Sequence, residues 1–343
     1  MPPTKFNWEL LSITRFMLAF IVMAVHLSSI DHTHFLTWAS YFGGFESVLG
    51  FLLISGFSIG KSISKNKESY FKRRIARIYP VYLASLATAL MLTFSGLNLS
   101  ILPILGLNLI FAMQIFTINS FGLPTWTLAL EVWLYAIAPL LLKLSYKQLN
   151  LIIYSSFLLY CVYTCGRTLY HWPYYFGTLY GINFFILAYV WIAGFALAKY
   201  PEKNRFNTFT VAFIFAGHIA LSFAIAAAYS YKHHVMGQFF RHDIFLFAAK
   251  AICLAWVLTV VLYNHKFKAF SNKVNRAFNL LGNISYPLYL VHIVIFKAFE
   301  KYNYTFGPVM VIAALIYSWL LYLIFDFYSK KRTIESVKIV PAV

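Results

Sequence analysis

The sequence predicts an all-α fold, a polytopic membrane helical bundle of about ten transmembrane helices plus one re-entrant or interfacial segment at residues 100–118. Three observations predict it. Of the 343 residues, 61% are hydrophobic and only 11% charged, whereas a soluble chain averages about 25% charged. Apolar runs recur along the chain, several reaching the ~18 residues that read as a membrane-crossing helix. The basic residues behind the net charge of +18 sit mostly in short loops between those runs. There they act as topological signals rather than as a nucleic-acid surface. No hydrophilic stretch is long enough for a separate soluble domain, so one integral-membrane domain over 1–343 is expected. The first run has no small-residue cleavage site and reads as an uncleaved span. Cys161, Cys165 and Cys253 lie inside apolar runs and read as core packing.

The first run extends from about Leu10 to Ile30 and holds Arg15 and His26. A charge at such depth costs at least ~2.5–3.5 kcal/mol on insertion scales, so it needs a partner or a task. At ~100° and ~1.5 Å per residue the two share one helix face, roughly 16 Å apart along the axis. The alternative is a snorkelling arginine and a histidine bonded to a neighbouring helix. Asp31, His32 and His34 make a polar loop, too few ligands for an expected metal site. A second span covers about Trp38 to Ile59. Its Gly43, Gly44, Gly50 and Gly56 allow close helix approach, and it carries one acid, Glu46. The most basic loop follows, with Lys61, Lys65, Lys67, Lys72, Arg73, Arg74 and Arg77. A third span is expected to start at Pro80, a favoured first-turn residue, and to end near Gly96. Residues 100–118 are apolar but broken by Pro103, Gly106, Asn108 and Gln114. A span from Trp126 to Leu144 carries Glu131, and further spans fall near 149–165, 178–198, 209–229, 243–263, 278–298 and 307–327.

If 100–118 does not cross, ten spans bring both termini to one side. The basic loop after span two, Lys143 and Lys147, Lys199 to Arg205, Lys266 to Arg276, and Lys330 to Lys338 then share that side with Lys5. Arg167, Lys232, Arg241, Lys297 and Lys301 fall on the other. The positive-inside rule makes the rich side, and both termini, cytoplasmic. A simple crossing at 100–118 would invert every later loop and erase the bias. Irregular backbone there requires protein or a water-filled cavity around it.

In this topology His26, Glu46, Glu131, Lys250 and His292 all fall in the outer half of their spans. Ser285, Tyr289 and His292 share one helix face, as do Thr127 and Glu131. Ionisable groups at one depth suggest a common pocket open to the outside, or else independent bonds between helices. On the cytoplasmic side, Arg73, Arg74 and Arg77 point to one flank if their stretch is helical. Arginine binds phosphate bidentately, so this is a candidate nucleotide-phosphate site. Anionic lipid headgroups are the alternative. The sequence has no P-loop, Rossmann glycine pattern, HExxH or GxSxG elbow. Transfer chemistry would therefore rest on histidine and carboxylate groups with an externally supplied activated donor.

Six elements in order resemble the acyltransferase-3 family, the membrane O-acyltransferases of bacterial glycan O-acetylation. A basic residue, ten residues and a histidine are Arg15 to His26. Gly43-Gly44-Phe45 and Ser55-Gly56-Phe57 follow. The F-x-x-R-R-x-x-R-I-x-P element matches from Tyr70, in place of Phe, to Pro80. Trp126-Thr127-Leu128 with Glu131 and Tyr135 matches W-[ST]-L-x-x-E. Ser285-Tyr286, Tyr289-Leu290 and His292 match S-Y-x-x-Y-L-x-H. The chain departs from many members in having Leu49 and Gly50, rather than a polar residue, before Ser55, with Glu46 one turn earlier.

The resemblance implies acetyl-CoA, or a close acyl-CoA, as a cytoplasmic co-substrate held by Arg15, Arg73, Arg74 and Arg77, and no permanently bound cofactor. It implies a hydroxyl acceptor on an exported or lipid-linked glycan, and residence in a bacterial inner membrane. His26 is the candidate base, with Glu131 orienting it. Glu46, Ser55, Trp126, Ser285, Tyr286, Tyr289, His292 and Lys250 are candidates for the acceptor or pocket. No fused soluble domain is expected. The rival from another class is a transporter of a lipid-linked sugar or small anion, which would use the same groups as a pathway.

Overall fold

The computed structural model describes residues 6–65, 67–93, 101–267 and 270–327. Lys5, Lys268, the residues from Lys330 to Lys338 and the expected span end near Gly96 lie outside them. The long helices are α1 (Trp8–Leu27), α3 (Gly44–Lys65), α4 (Tyr70–Thr93), α6 (Trp126–Leu141), α7 (Tyr146–Tyr170), α8 (Ile182–Lys199), α9 (Asn204–Lys232), α11 (Ile244–Leu262), α12 (Asn272–Lys301) and α13 (Gly307–Leu321). Short helices α2 (Thr37–Ser40), α5 (Ile101–Leu109) and α10 (Met236–Gln238) lie between them. Among the described residues, nine helices are long and apolar enough to cross a membrane, and α6 is a shorter apolar helix beside them. This is the polytopic all-helical bundle that composition and apolar runs predict.

Paired loops define the two ends of the bundle. At one end the backbone N–H of Asn7 donates to Asn264 Oδ1 (2.5 Å) and Asn264 Nδ2 donates to Asn7 O (2.9 Å). Lys199 Nζ and Tyr200 OH reach Leu144 O at the same end. This end carries the basic loops. At the opposite end Gly307 N–H donates to Asp31 Oδ1 (3.0 Å), and Gln114 Nε2 donates to Phe176 O (3.0 Å).

The segment 101–125 meets the loop 171–181 at that far end and dips into the middle of the bundle, where it bonds to α4 and α6. Its helix α5 has nine residues, about 14 Å long and less than half of the ~30 Å core thickness. The irregular backbone after it is satisfied by protein. Tyr79 OH donates to Leu109 O, Tyr82 OH to Asn108 O (3.0 Å), and Trp133 Nε1 to Phe111 O (3.0 Å). Tyr180 N–H donates to Ile115 O (3.1 Å). Phe111, Ala112 and Met113 are buried.

Two contacts position the site. Helices α3 and α8 pack almost backbone to backbone. A Cβ at Gly56 would stand 1.9 Å from Trp191 O, and one at Gly194 would stand 2.1 Å from Leu53 O. Helix α12 packs on α1 where Gly282 meets Ser12, and the two helices run in the same direction. Two element starts differ from the sequence expectation. Gly43 has φ +84°, which ends the stretch begun by α2 and delays α3 to Gly44. Pro80 lies inside α4 rather than at its start. Its missing N–H breaks only one helical bond, a loss that packed neighbours offset in membrane helices. The arginine stretch is therefore the first turns of the spanning helix itself.

Candidate active site

Helices α1, α3, α4, α6 and α12 enclose a cavity of about 140 Å³. Three guanidiniums line it, Arg15 from α1 and Arg74 and Arg77 from α4. Arg15 Nη2 donates to Ser58 Oγ (3.3 Å) and Arg74 Nη2 to Ser62 Oγ (3.0 Å). Among the described residues no carboxylate lies within ion-pair distance of any of the three, and Arg74 Nε is buried without a hydrogen-bond partner. Three clustered cations against one acid lining the cavity, Glu131, and none in ion-pair contact make a site for an anionic group, with arginine matching phosphate geometry.

Deeper in, the wall turns to hydroxyls around one acid. Glu131 Oε2 accepts from Ser55 Oγ (3.0 Å) and from Tyr135 OH. Trp191 Nε1 in turn donates to Ser55 Oγ (3.2 Å). Both Ser55 and Glu131 line the cavity, with Ser285 and Tyr286 of α12. Tyr286 OH donates to Ile78 O (3.1 Å), which fixes α12 against α4. Tyr289 and Thr127 also line the cavity, and their hydroxyls lie 2.5 Å apart. The Tyr289 ring centroid is 6.3 Å from that of His292.

Beyond Tyr289 stands a histidine pair. His26 Nδ1 is 2.9 Å from His292 Nε2, and the rings lie edge to edge, 5.1 Å between centroids and 26° between planes. His292 is fully buried, and its Nδ1 is 2.8 Å from Leu288 O. The parallel course of α1 and α12 brings the two rings together.

A third polar group is separate from both. Glu46 Oε1 lies 3.2 Å from His218 Nε2 and 3.8 Å from Lys250 Nζ, and His218 Nδ1 lies 2.6 Å from Tyr160 OH. Phe45, Tyr160 and Tyr175 stack around this cluster. Asp31, in the loop after α1, caps the backbone of Thr33, Phe35 and Gly307. Its burial acts to raise its pKa, but the bonds from Thr33, Phe35 and Gly307 outweigh this and hold it below the ordinary carboxylate value.

A family profile described as an acyltransferase domain matches residues 9–326. The chain belongs to the acyltransferase-3 family. It is therefore a multi-pass membrane acyltransferase, and that membership decides between enzyme and transporter. It is also similar to the protein named "Putative acetyltransferase ORF330" of Acidianus two-tailed virus, at 25% identity over 257 residues, covering 71% of this chain and 69% of the relative. No solved structure matches.

In this acyltransferase the cavity gathers Arg15, Ser55, Arg74, Arg77, Glu131, Ser285, Tyr286 and Tyr289 of the sequence candidates. His26 and His292 stand behind Tyr289. Arg73 lies off the cavity and donates to Glu68 O (2.5 Å). Trp126 packs against the main apolar core. Glu46 and Lys250 belong to the His218 cluster, so the polar groups expected at one depth form three groups rather than one pocket, with Glu131 nearer the arginines than the others. The partner of His26 is His292; Glu131 is held by Ser55 and Tyr135. Sequence reasoning passed over His218, Ser58 and Trp191. His218 carried a usable signal, an ionisable residue in mid-span; the roles of Ser58 and Trp191 depend on lateral packing alone.

Proposed function

We propose that this enzyme transfers an acetyl group from acetyl-CoA, bound from the cytoplasm, to a hydroxyl of an exported or lipid-linked glycan in a bacterial inner membrane, with both termini cytoplasmic. The observation that carries the proposal is the cavity lined by Arg15, Arg74 and Arg77 without a carboxylate partner. Its Arg74 and Arg77 stand in the first turns of α4, beside the basic loop, at the end the positive-inside rule assigns to the cytoplasm. A phosphorylated carrier has the charge these groups lack, and the name of the viral relative supports acetyl as the acyl group.

In this reading the arginines hold the donor phosphates and the acyl-bearing arm runs inward along α1. Arg15 and His26 are roughly 16 Å apart along that helix, a span an extended pantetheine arm covers. Ser55, Tyr135 and Glu131 form the polar wall beside the arm. Tyr289 and Thr127 close the cavity before the histidine pair, so the thioester meets His26 only where this partition opens. A sugar hydroxyl is a poor nucleophile at neutral pH and needs a base. His26 takes that proton as the hydroxyl oxygen bonds to the thioester carbonyl carbon. The C–S bond breaks, and the proton leaves with the CoA sulfur. The acceptor arrives from the far end, where His26 is only half-buried.

The test is acceptor-dependent release of CoA from acetyl-CoA by the purified protein in nanodiscs, with label recovered as an alkali-labile ester on the acceptor glycan. Acetyl-CoA that binds but is never consumed by any hydroxyl acceptor would overturn the reading.

A further inference from the structure

The His26–His292 pair has a direction that follows from one fixed point. The carbonyl of Leu288 can only accept a hydrogen bond, so the 2.8 Å contact with His292 Nδ1 requires the proton to sit on Nδ1. His292 is fully buried, and among the described residues no carboxylate pairs with either ring. A charged imidazolium has no counter-charge there, and the ring is neutral. A neutral ring protonated at Nδ1 carries its lone pair on Nε2. That atom must then accept, and His26 Nδ1 must donate, across the 2.9 Å between them. His26, protonated on Nδ1, keeps its own lone pair on Nε2.

We infer that His292 is a positioning residue that locks His26 in the Nδ1–H tautomer and leaves His26 Nε2 as the atom that takes the acceptor's proton. This rests on the acyl-transfer reading above. An aspartate does the same for histidine in a hydrolase triad; here a neutral imidazole does so through a backbone carbonyl. The relay also stabilises the charge on His26 during transfer: as Nε2 takes the hydroxyl proton, His26 Nδ1–H strengthens its bond to the lone pair of His292. The proton on Nε2 then passes to the departing thiolate, and both rings return to their starting state. The two ring planes are only 26° apart with centroids at 5.1 Å, the near-coplanar, edge-to-edge arrangement that an in-plane hydrogen bond between the two nitrogens requires.

Two variants and one spectrum test this on the full chain in nanodiscs. In His292→Gln the amide oxygen lies near the old Nε2 and accepts from His26 Nδ1–H. In His292→Leu no acceptor remains. Acceptor-dependent acetyl transfer should fall no more than about tenfold in His292→Gln and by roughly 10²-fold or more in His292→Leu, a loss on the scale of a general base. Acetyl-CoA affinity should stay within twofold in both. Equal transfer rates in the two variants would overturn the inference. Independently of activity, ¹⁵N-histidine NMR of wild type, with the His26 signal assigned by its loss in His26→Gln, should show a protonated Nδ1 and a bare Nε2. A protonated His26 Nε2 would overturn the inference even if His292→Leu fails to fold. Absence of transfer by wild type together with the expected tautomer would refute the function and leave the pairing standing.

Discussion

Arg77→Gln isolates the donor site with little structural side effect. Arg77 lines the cavity, is exposed, and makes no hydrogen bond or ion pair among the described residues. Gln has a helix propensity close to that of Arg, so α4 should form as before. The variant removes one charged donor. A hydrogen bond to a charged group contributes about 1.5–3 kcal/mol, so the Kd for acetyl-CoA should rise about 10- to 150-fold. Titration calorimetry in nanodiscs measures this, with S-acetylpantetheine as the comparison. That ligand lacks the phosphates, so its weaker binding should be the same in wild type and variant. A Kd for acetyl-CoA within twofold of wild type would refute the reasoning and leave the arginine stripe as a topological signal. Equal weakening of both ligands would show instead that the cavity had lost its shape.

Three further outcomes follow from packing and charge. Gly56→Ala forces a Cβ against Trp191 O and should lower the melting temperature by an amount matching about 1–3 kcal/mol of overpacking; Gly106→Ala, which meets nothing within 4 Å, should melt as wild type does. Glu46→Ala leaves His218 and Lys250 without their acid and should destabilise by about 3–5 kcal/mol in thermal or denaturant unfolding while acetyl-CoA affinity is unchanged. The Asp31 pKa is lowered in the fold, so its contribution to stability is present above the unfolded value of about 3.9 and is lost as pH falls through the folded value. Melting temperatures below about pH 4 should therefore fall less steeply in Asp31→Asn than in wild type.

Placement along a single helix was legible in the sequence, and relations between helices were not, Glu131 standing nearer the arginines than His26 rather than level with it. The 3.6-residue period places Arg15 and His26 on one face of α1; the arginine spacing places Arg73, Arg74 and Arg77 on one flank of α4, of which Arg74 and Arg77 face the cavity and Arg73 turns back to Glu68. The aggregated glycines of α3 mark its closest neighbour correctly in kind, but only the structure shows that Gly56 meets α8 at Trp191. Glu46 and His26 lie at comparable depth, but Glu131 bonds to Ser55, nine residues beyond Glu46 on α3 and about 13 Å nearer the arginines. Which of them meet depends on how ten helices are arranged around each other, and that arrangement follows from packing of whole faces. Glu46 turns toward α9 and α11, whereas His26 turns toward α12. His218 was visible as an ionisable residue in an apolar run, but its partners Glu46 and Tyr160 were not. Pro80 misled by a local rule that ignores how readily packed neighbours tolerate a missing helical bond.

The most direct test of the account is single-turnover acetyl transfer by purified His26→Gln, measured beside its acetyl-CoA affinity. Its cavity lining is intact, since His26 stands behind Tyr289 rather than in the donor wall. Acetyl-CoA should bind within twofold of wild type while transfer to the acceptor falls by roughly 10²–10⁴-fold, the range a general base supplies. Transfer at a near wild-type rate with binding intact would make His26 a structural histidine and contradict the mechanism.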